Sequence, residues 1–368
     1  MNLLLFEFKK IIRTKAFPIF LIVTLALITG LFLRNVILQD TIVAQKIEHF
    51  SEYASEVSSE NTGDNMTLHR DGPNAAIEER LEVGKLLADQ LSQLLGAIQN
   101  NLWEEELQVE IEVYETAITY KNMNGNFRAS IADMEDISRL NEELLRVGLP
   151  KENMDLSIQT SIFLKKVVSL FLSTPGFLVF LLVLGVSITR EFEDRNIQMV
   201  YALPIARLQY VLTKFTSVLL CGVSWLAVVF ITSYLLPLVF GHNEGNIFHY
   251  PLFTAEGNFI TTGDYVKKTI LYSALFMTFT VSLLTLLGFL TKNTIVSYLV
   301  GIFVFVGSWI VIENGMVFSL NPLTYQNIDA SSLYQQGYDV KGICALLIAS
   351  VVLLALTSKD SWNWRSAR

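Results

Sequence analysis

Two kinds of hydrophobic pattern alternate along this chain. Long stretches free of charged residues occur at 17–33, 167–189, 215–240, 269–290, 294–312 and 342–357. A helix needs roughly 20 apolar residues to cross a hydrocarbon core. The pattern therefore predicts transmembrane helices at 16–39, 161–189, 215–240, 269–290, 294–312 and 342–357, the last of them short. The first stretch reads as an uncleaved span, because no small-residue cleavage site follows it. In the second, Ser173-Thr174-Pro175-Gly176 predicts a kink, since proline removes one backbone hydrogen bond. Only Thr291-Lys292-Asn293 separate the fourth and fifth stretches, and so short a link forces an antiparallel hairpin.

Between Asp40 and Thr160 the pattern becomes amphipathic. Val43, Ile47, Phe50, Ala54 and Val57 form one stripe, and Ile77, Leu81, Leu87, Leu91, Leu94 and Ile98 a second. Trp103, Leu107, Ile111, Tyr114 and Ile118 form a third, and Phe127, Ile131, Met134, Ile137, Leu140 and Leu144 a fourth. Each stripe has helical spacing. The turn-prone residues 122–126 close the third helix, and Gly148 with Pro150 close the fourth. The polar residues 58–74, which include Gly63, Gly72 and Pro73, predict a mobile linker. The fold class is an all-α polytopic membrane protein, six transmembrane helices with a helical extracellular domain (40–160) inserted between helices 1 and 2.

Composition agrees with this class: of 368 residues, 52% are hydrophobic and 17% charged. The net charge of −8 conceals a division. Residues 40–160 hold 24 acidic and 9 basic side chains, a balance of −15, which leaves +7 for the rest. An acidic block beside an apolar remainder argues against a nucleic-acid partner. The basic residues set the orientation. Lys9, Lys10, Arg13 and Lys15 precede the first span, Arg190, Arg195, Arg207 and Lys214 lie between the second and third, and Lys359, Arg365 and Arg368 follow the last. Residues 1–15 are then an interfacial elbow helix on the inner leaflet, and 190–214 and the 358–368 tail, with Trp362 and Trp364 as an interfacial anchor, are cytoplasmic. Residues 40–160, 241–268 and 313–341 face outward, and Lys165 and Lys166 run against the trend. In 313–341, apolar residues around Asn321-Pro322 predict two short re-entrant helices broken at the proline.

Candidate chemistry is sparse. No GxxxxGK[ST], HExxH or GxSxG motif occurs, so no catalytic residue, nucleotide site or bound cofactor is expected in this chain. Nor is a metal expected: His242 and His249, with Glu244 nearby, match no ligand spacing, and the 104–106 carboxylates read as a solvated face. Cys221 and Cys344 sit in apolar stretches and read as packing residues. The predicted spans hold no ionisable residue at mid-depth, which places the energy source for any transport outside them. Ser273, Thr278, Phe279 and Ser282 in the fourth span, with Asn321 and Pro322, are candidates for lining a path for an amphipathic or apolar cargo. The alternative is that these hydroxyls bond to their own helix backbone.

Between the second and third spans the charge is packed into one short polar segment, 188–214. There Ile197, Val200, Tyr201, Leu203 and Pro204 fall at near-helical spacing against Glu191, Glu193, Asp194, Arg195 and Arg207, which predicts a short amphipathic helix at the membrane surface. These residues carry a resemblance. Glu191 and Glu193 after the second span, Leu203-Pro204-Ile205 with Arg207 following, Lys214-Phe215 opening the third span, and Leu320-Asn321-Pro322-Leu323 before the last resemble the pattern of ABC-2-type exporter permeases with the type V exporter fold. The likeness covers the six-span plan, and a large outer domain between the first two spans is similar to the ABCA-like branch. The family's glycine and threonine after the acidic residue are replaced here by Arg195-Asn196-Ile197.

The resemblance implies that Glu191, Glu193, Asp194, Arg195, Leu203, Pro204, Arg207 and Lys214 belong to a coupling helix that docks on a separate ABC ATPase. It further implies two ATPase subunits carrying ATP and Mg, a second permease chain, identical or related, surrounding membrane lipid, and a multi-pass place in a bacterial cytoplasmic membrane with both termini inside. The expected function is then export of a peptide, lipid or amphipathic compound. Two other readings stay open: a membrane-anchored sensor or adaptor with a ligand-binding outer domain, and an ion-exporting transporter.

Overall fold

The computed structural model describes residues 3–194, 206–241, 243, 245–315, 318–334 and 337–363. Its contacts divide the chain into two units: Met1–Phe32, Thr160–Gly241 and Leu252–Arg368 in one, Leu33–Gln159 and His242–Pro251 in the other. Six helices are long and apolar enough to cross a membrane: α2 (Ala16–Ile37), α8 (Thr174–Glu193), α9 (Arg207–Phe240), α10 (Thr262–Thr291), α11 (Thr294–Glu313) and α13 (Val340–Asn363). With the α-helices that flank them they make an all-α membrane protein.

The membrane unit is built around α10, the most buried of the six. Its Phe276 lies 4.7 Å from the Phe177 ring of α8 and 6.1 Å from the Phe305 ring of α11. Trp225 of α9 stacks on Phe180 at 5.5 Å and donates its indole N–H to Thr24 of α2 at 3.3 Å. Lipid offers no hydrophobic drive for helices to associate, so close packing must do it, and small residues permit it. At Gly185 of α8 a Cβ would come within 2.4 Å of the Tyr298 ring of α11, and at Gly288 of α10 within 2.6 Å of Ile188. A short helix, α1 (Leu3–Arg13), precedes α2.

The second predicted span is two helices, α7 (Thr160–Phe171) and α8, broken where proline and glycine foretold a kink. The Leu172 carbonyl at the break accepts the Ile328 N–H at 3.0 Å, so a group that the α-helical ladder leaves open is satisfied from another segment. Ile328 opens α12 (Ile328–Leu333), which follows a single 3₁₀ stretch at Pro322–Gln326; both short helices lie after the proline rather than on either side of it. Lys165, against the charge trend in sequence, lies 3.6 Å from Asp329, which also accepts the Tyr265 hydroxyl at 2.6 Å. A small hairpin, β1 (Pro251–Phe253) with β2 (Phe259–Thr261), follows a 3₁₀ turn at Ile247–His249 in the loop before α10.

The second unit is a four-helix arrangement of α3 (Gln39–Asp71), α4 (Ala75–Gln99), α5 (Trp103–Asn122) and α6 (Ile131–Val147). Its core joins Phe50, Tyr53 and Val57 of α3 to Leu87, Leu91 and Leu94 of α4, Val113, Ala117 and Tyr120 of α5 and Met134 of α6. Asn74 and Ser130 cap α4 and α6, each accepting a backbone N–H at 3.1 Å, and Gly148 closes α6 at φ 74°.

The expected linker at 58–74 is mostly helix: α3 runs on to Asp71 and only residues 72–74 connect it to α4. Polar composition misled because Asn61 and Asp64 are buried, and Asp64 pairs with Arg80 of α4. Glu106 likewise is no solvated carboxylate; it is buried and bonded to Lys46 at 2.6 Å. Replacing Arg80 with glutamine strands Asp64, and removing one partner of a buried pair costs about 3 kcal/mol or more. Limited proteolysis of the full chain is expected to cut within 58–71 in R80Q and to spare that stretch in the parent; equal cutting would refute the assignment.

Candidate functional site

Four charged side chains meet where α1, α8 and α9 come together. In α1, Glu7 and Ile11 lie four residues apart and are both buried, while Phe6, Lys9 and Arg13 are exposed, so the single acid of this basic helix is carried on its inner face. Lys214, about two turns into α9, is only 1% exposed. Its Nζ lies 2.6 Å from Glu7 Oε2 and 2.9 Å from Glu191 Oε1, the latter at the end of α8. Lys10 Nζ donates to the same Glu191 oxygen, and the Tyr210 hydroxyl donates to the other. Two carboxylates thus face two ammonium groups, and the cluster is neutral. A buried ion pair adds little net stability because desolvation consumes most of the attraction, whereas breaking one is costly. What the cluster supplies is position: it fixes α1, the last turn of α8 and the first turns of α9 to one another.

A second link starts from the same turn of α8. Glu193 accepts the Thr294 backbone N–H at 2.6 Å, placing its negative charge on the positive end of the α11 dipole. Thr189 and Thr294 share a hydroxyl hydrogen bond at 2.5 Å. Lys292, at φ 56°, turns the chain between α10 and α11. Asp194, on the exposed side, lies 3.5 Å from Arg190.

These placements change the roles expected of several residues. Glu191 and Lys214 do not lie on a surface; both are buried and paired within the chain. Glu193 is committed to α11, while Asp194, exposed, and Arg207, half-buried, stand at the two ends of the connecting segment. Arg195, Leu203 and Pro204, with the predicted amphipathic helix, lie outside the described residues. Glu7 and Lys10 were missed because a basic segment before a first span reads as a topogenic flank. The available signal was a lone carboxylate four residues from Ile11 in a helix whose other charges are all positive.

Along α10, Ser273 donates to the Ile270 carbonyl at 3.0 Å, Thr278 to Ala274 at 2.8 Å and Ser282 to Thr278 at 2.8 Å. Phe279 is buried against Phe276. Asn321 accepts the Leu323 N–H at 3.1 Å and Pro322 begins the 3₁₀ turn. The hydroxyl hydrogen bonds of these candidates are thus local to their own helix. Cys221 is buried, but Cys344 is exposed on α13, so only the first packs in the interior. Among the described residues no group of His, Cys, Asp and Glu is arranged to hold a metal. In the second unit a cavity of about 570 Å³ is lined by Lys46, Glu106, Glu110, Tyr114 and Lys151. Its buried carboxylates already hold lysines, Lys46 on Glu106 and Lys151 on Glu110 at 2.8 Å, and burial pushes the Tyr114 phenol far above its ordinary range.

The family model of ABC-2 family transporter proteins matches residues 1–358, nearly the whole chain. The chain belongs to the ABC-2 transporter family. No curated protein and no solved structure matches it. An ABC-2 protein is a transmembrane transport component, not itself an ATPase, and the family works with ABC ATPase subunits. In this ABC-2 chain the residues that carried the resemblance separate into two groups. Glu191, Glu193 and Lys214 knit helices together, and the 195–205 segment connects the helices so joined.

Proposed function

We propose that this ABC-2 chain is the permease subunit of an ATP-driven exporter of a peptide, lipid or amphipathic compound, acting with a second permease chain and two ABC ATPase subunits. In this reading the end of the spans that carries Glu191 faces the cytosol, in keeping with the basic residues of α1 and of the 190–214 region, and both termini lie on that side. Residues 195–205 dock on the ATPase, with Leu203 and Pro204 in an apolar groove of the partner. ATP and Mg act wholly within that partner.

The observation that supports this reading most is the buried Glu7–Lys214–Glu191–Lys10 cluster. It gives a docked segment something stiff to push: movement of 195–205 reaches α8 through Asp194 and α9 through Ala206, and the cluster passes it to α1. The absence of ionisable residues at mid-depth in the spans favours an amphipathic cargo over a bare ion.

Leu203→Asp separates docking from packing. It places a charge in the apolar contact, and losing a central contact costs about 2 kcal/mol or more, some thirtyfold in affinity. The expected result is loss of permease-stimulated ATP hydrolysis in reconstituted vesicles, with the thermal unfolding of the isolated chain unchanged. Full stimulation in L203D would overturn the docking role.

A further inference from the structure

The cavity of about 570 Å³ in the second unit is of a size that holds a small organic ligand. Helical spacing builds it. Ile42, Lys46, His49 and Phe50 fall at i, i+4, i+7 and i+8 on α3, so that helix turns one face to the space. Glu106, Glu110 and Tyr114 do the same at i, i+4 and i+8 on α5. Ile137 of α6 and residues 151–155 complete the wall. Phe50 and Tyr114 are rings, and Ile42 and Ile137 are aliphatic, so a part of the lining is apolar.

Charge decides what kind of ligand suits the polar part. Lys46 is bonded to Glu106 and Lys151 to Glu110, so neither ammonium group is open to an anion. Glu152 and Asp155 bring the lining to four carboxylates against two ammonium groups, a balance of −2 with His49 neutral. The surroundings add to this, because the balance of −15 over residues 40–160 cannot be met by the 9 basic side chains of that stretch. A recess in so acidic a unit concentrates the field and draws cations to it, and aromatic faces attract them further. A bare metal ion is the wrong cation: among the described residues no group is arranged to ligate one, and the apolar wall offers it no oxygen. We propose that this cavity binds an amphipathic organic cation, its ammonium or guanidinium group answering the carboxylate surplus and its apolar body lying against Ile42, Phe50 and Tyr114. The proposal concerns binding by this unit and needs neither a partner nor ATP hydrolysis, so its failure leaves the exporter reading intact.

Titration calorimetry of the full chain in phosphatidylcholine nanodiscs, with empty nanodiscs as the blank, tests it. The cationic probe is the dipeptide amide Arg-Phe-NH2, and its acidic counterpart is N-acetyl-Glu-Phe. The parent should bind one Arg-Phe-NH2 per chain, about tenfold or more tighter than the acidic dipeptide, the scale of a close charge contact near a protein surface. Ile42→Trp narrows the apolar side and keeps every charge. It should weaken Arg-Phe-NH2 severalfold, whereas a diffuse attraction of cations to an acidic surface would survive it. The double variant E152Q/D155N removes two charges and leaves an acceptor oxygen for the Ser157 hydroxyl that Glu152 holds at 2.6 Å. Most of the preference for the cationic probe should vanish in it, with thermal unfolding unchanged. Equal affinity of the parent for the two dipeptides, an unaltered affinity in I42W, or an unaltered preference in E152Q/D155N would each overturn the site.

Discussion

Lys214→Met is expected to destabilise the purified chain by about 3–5 kcal/mol, the cost of stranding a buried charge by removing its partner. Glu191 keeps Lys10 and Tyr210, so the stranded group is Glu7, for which Lys214 is the cation at 2.6 Å. Methionine preserves the length and flexibility of the side chain, which separates loss of charge from loss of packing. The double variant E7Q/K214M removes both charges and should be more stable than K214M alone, a departure from additivity expected only of groups in contact. Thermal unfolding of the four proteins in one detergent measures this. If the double variant is as unstable as the two single changes added together, the pairing is wrong. Permease-stimulated ATP hydrolysis should fall in K214M and partly return in the double variant, a pattern unlike that expected of L203D.

Gly176→Ala is the second large effect. At that position a Cβ would lie 1.8 Å from the Phe171 carbonyl oxygen and 2.8 Å from its carbon. A clash with backbone cannot be relieved by a rotamer change. The end of α7 would have to move, together with the Leu172 carbonyl that holds Ile328. Forcing extra volume into a packed site costs about 1–3 kcal/mol, and a backbone clash belongs at the upper end. Gly84→Ala serves as the contrast. There a Cβ would meet Asn61 Oδ1 at 2.1 Å, the tip of a side chain that can turn aside. G176A is therefore expected to unfold at a clearly lower temperature than G84A, and the reverse order would show that the α7–α8 break is not the tight joint described here.

The spans were legible because an uncharged stretch of some twenty residues has few other uses. Pro175 with Gly176 marked the break for the same local reason, the lost N–H and the close carbonyl. What sequence could not supply was partnership at a distance. Lys214 and Glu7 are 207 residues apart, and nothing local to either names the other. Glu191 and Lys214 were visible as charges but were assigned outward, since charge at a membrane edge usually meets water or another protein. Their burial depends on α1 folding back against α8 and α9. The residues at 58–74 failed in the opposite sense: a polar composition concealed a helix whose inward groups, Asn61 and Asp64, are polar themselves. The Glu193 contact with Thr294 was hidden for a third reason, that a carboxylate serving another helix's first turn leaves no trace in its own neighbourhood.

The tie from Glu193 and Thr189 to Thr294 has a mechanical consequence. Together with the Lys214 cluster it binds the final turn of α8 to three neighbours, α1, α9 and α11, through separate bonds. A force entering at Asp194 is shared among parallel attachments rather than passed down a single chain of links. Weakening any one attachment should blunt the response by a fraction, and silence should require cutting at least two.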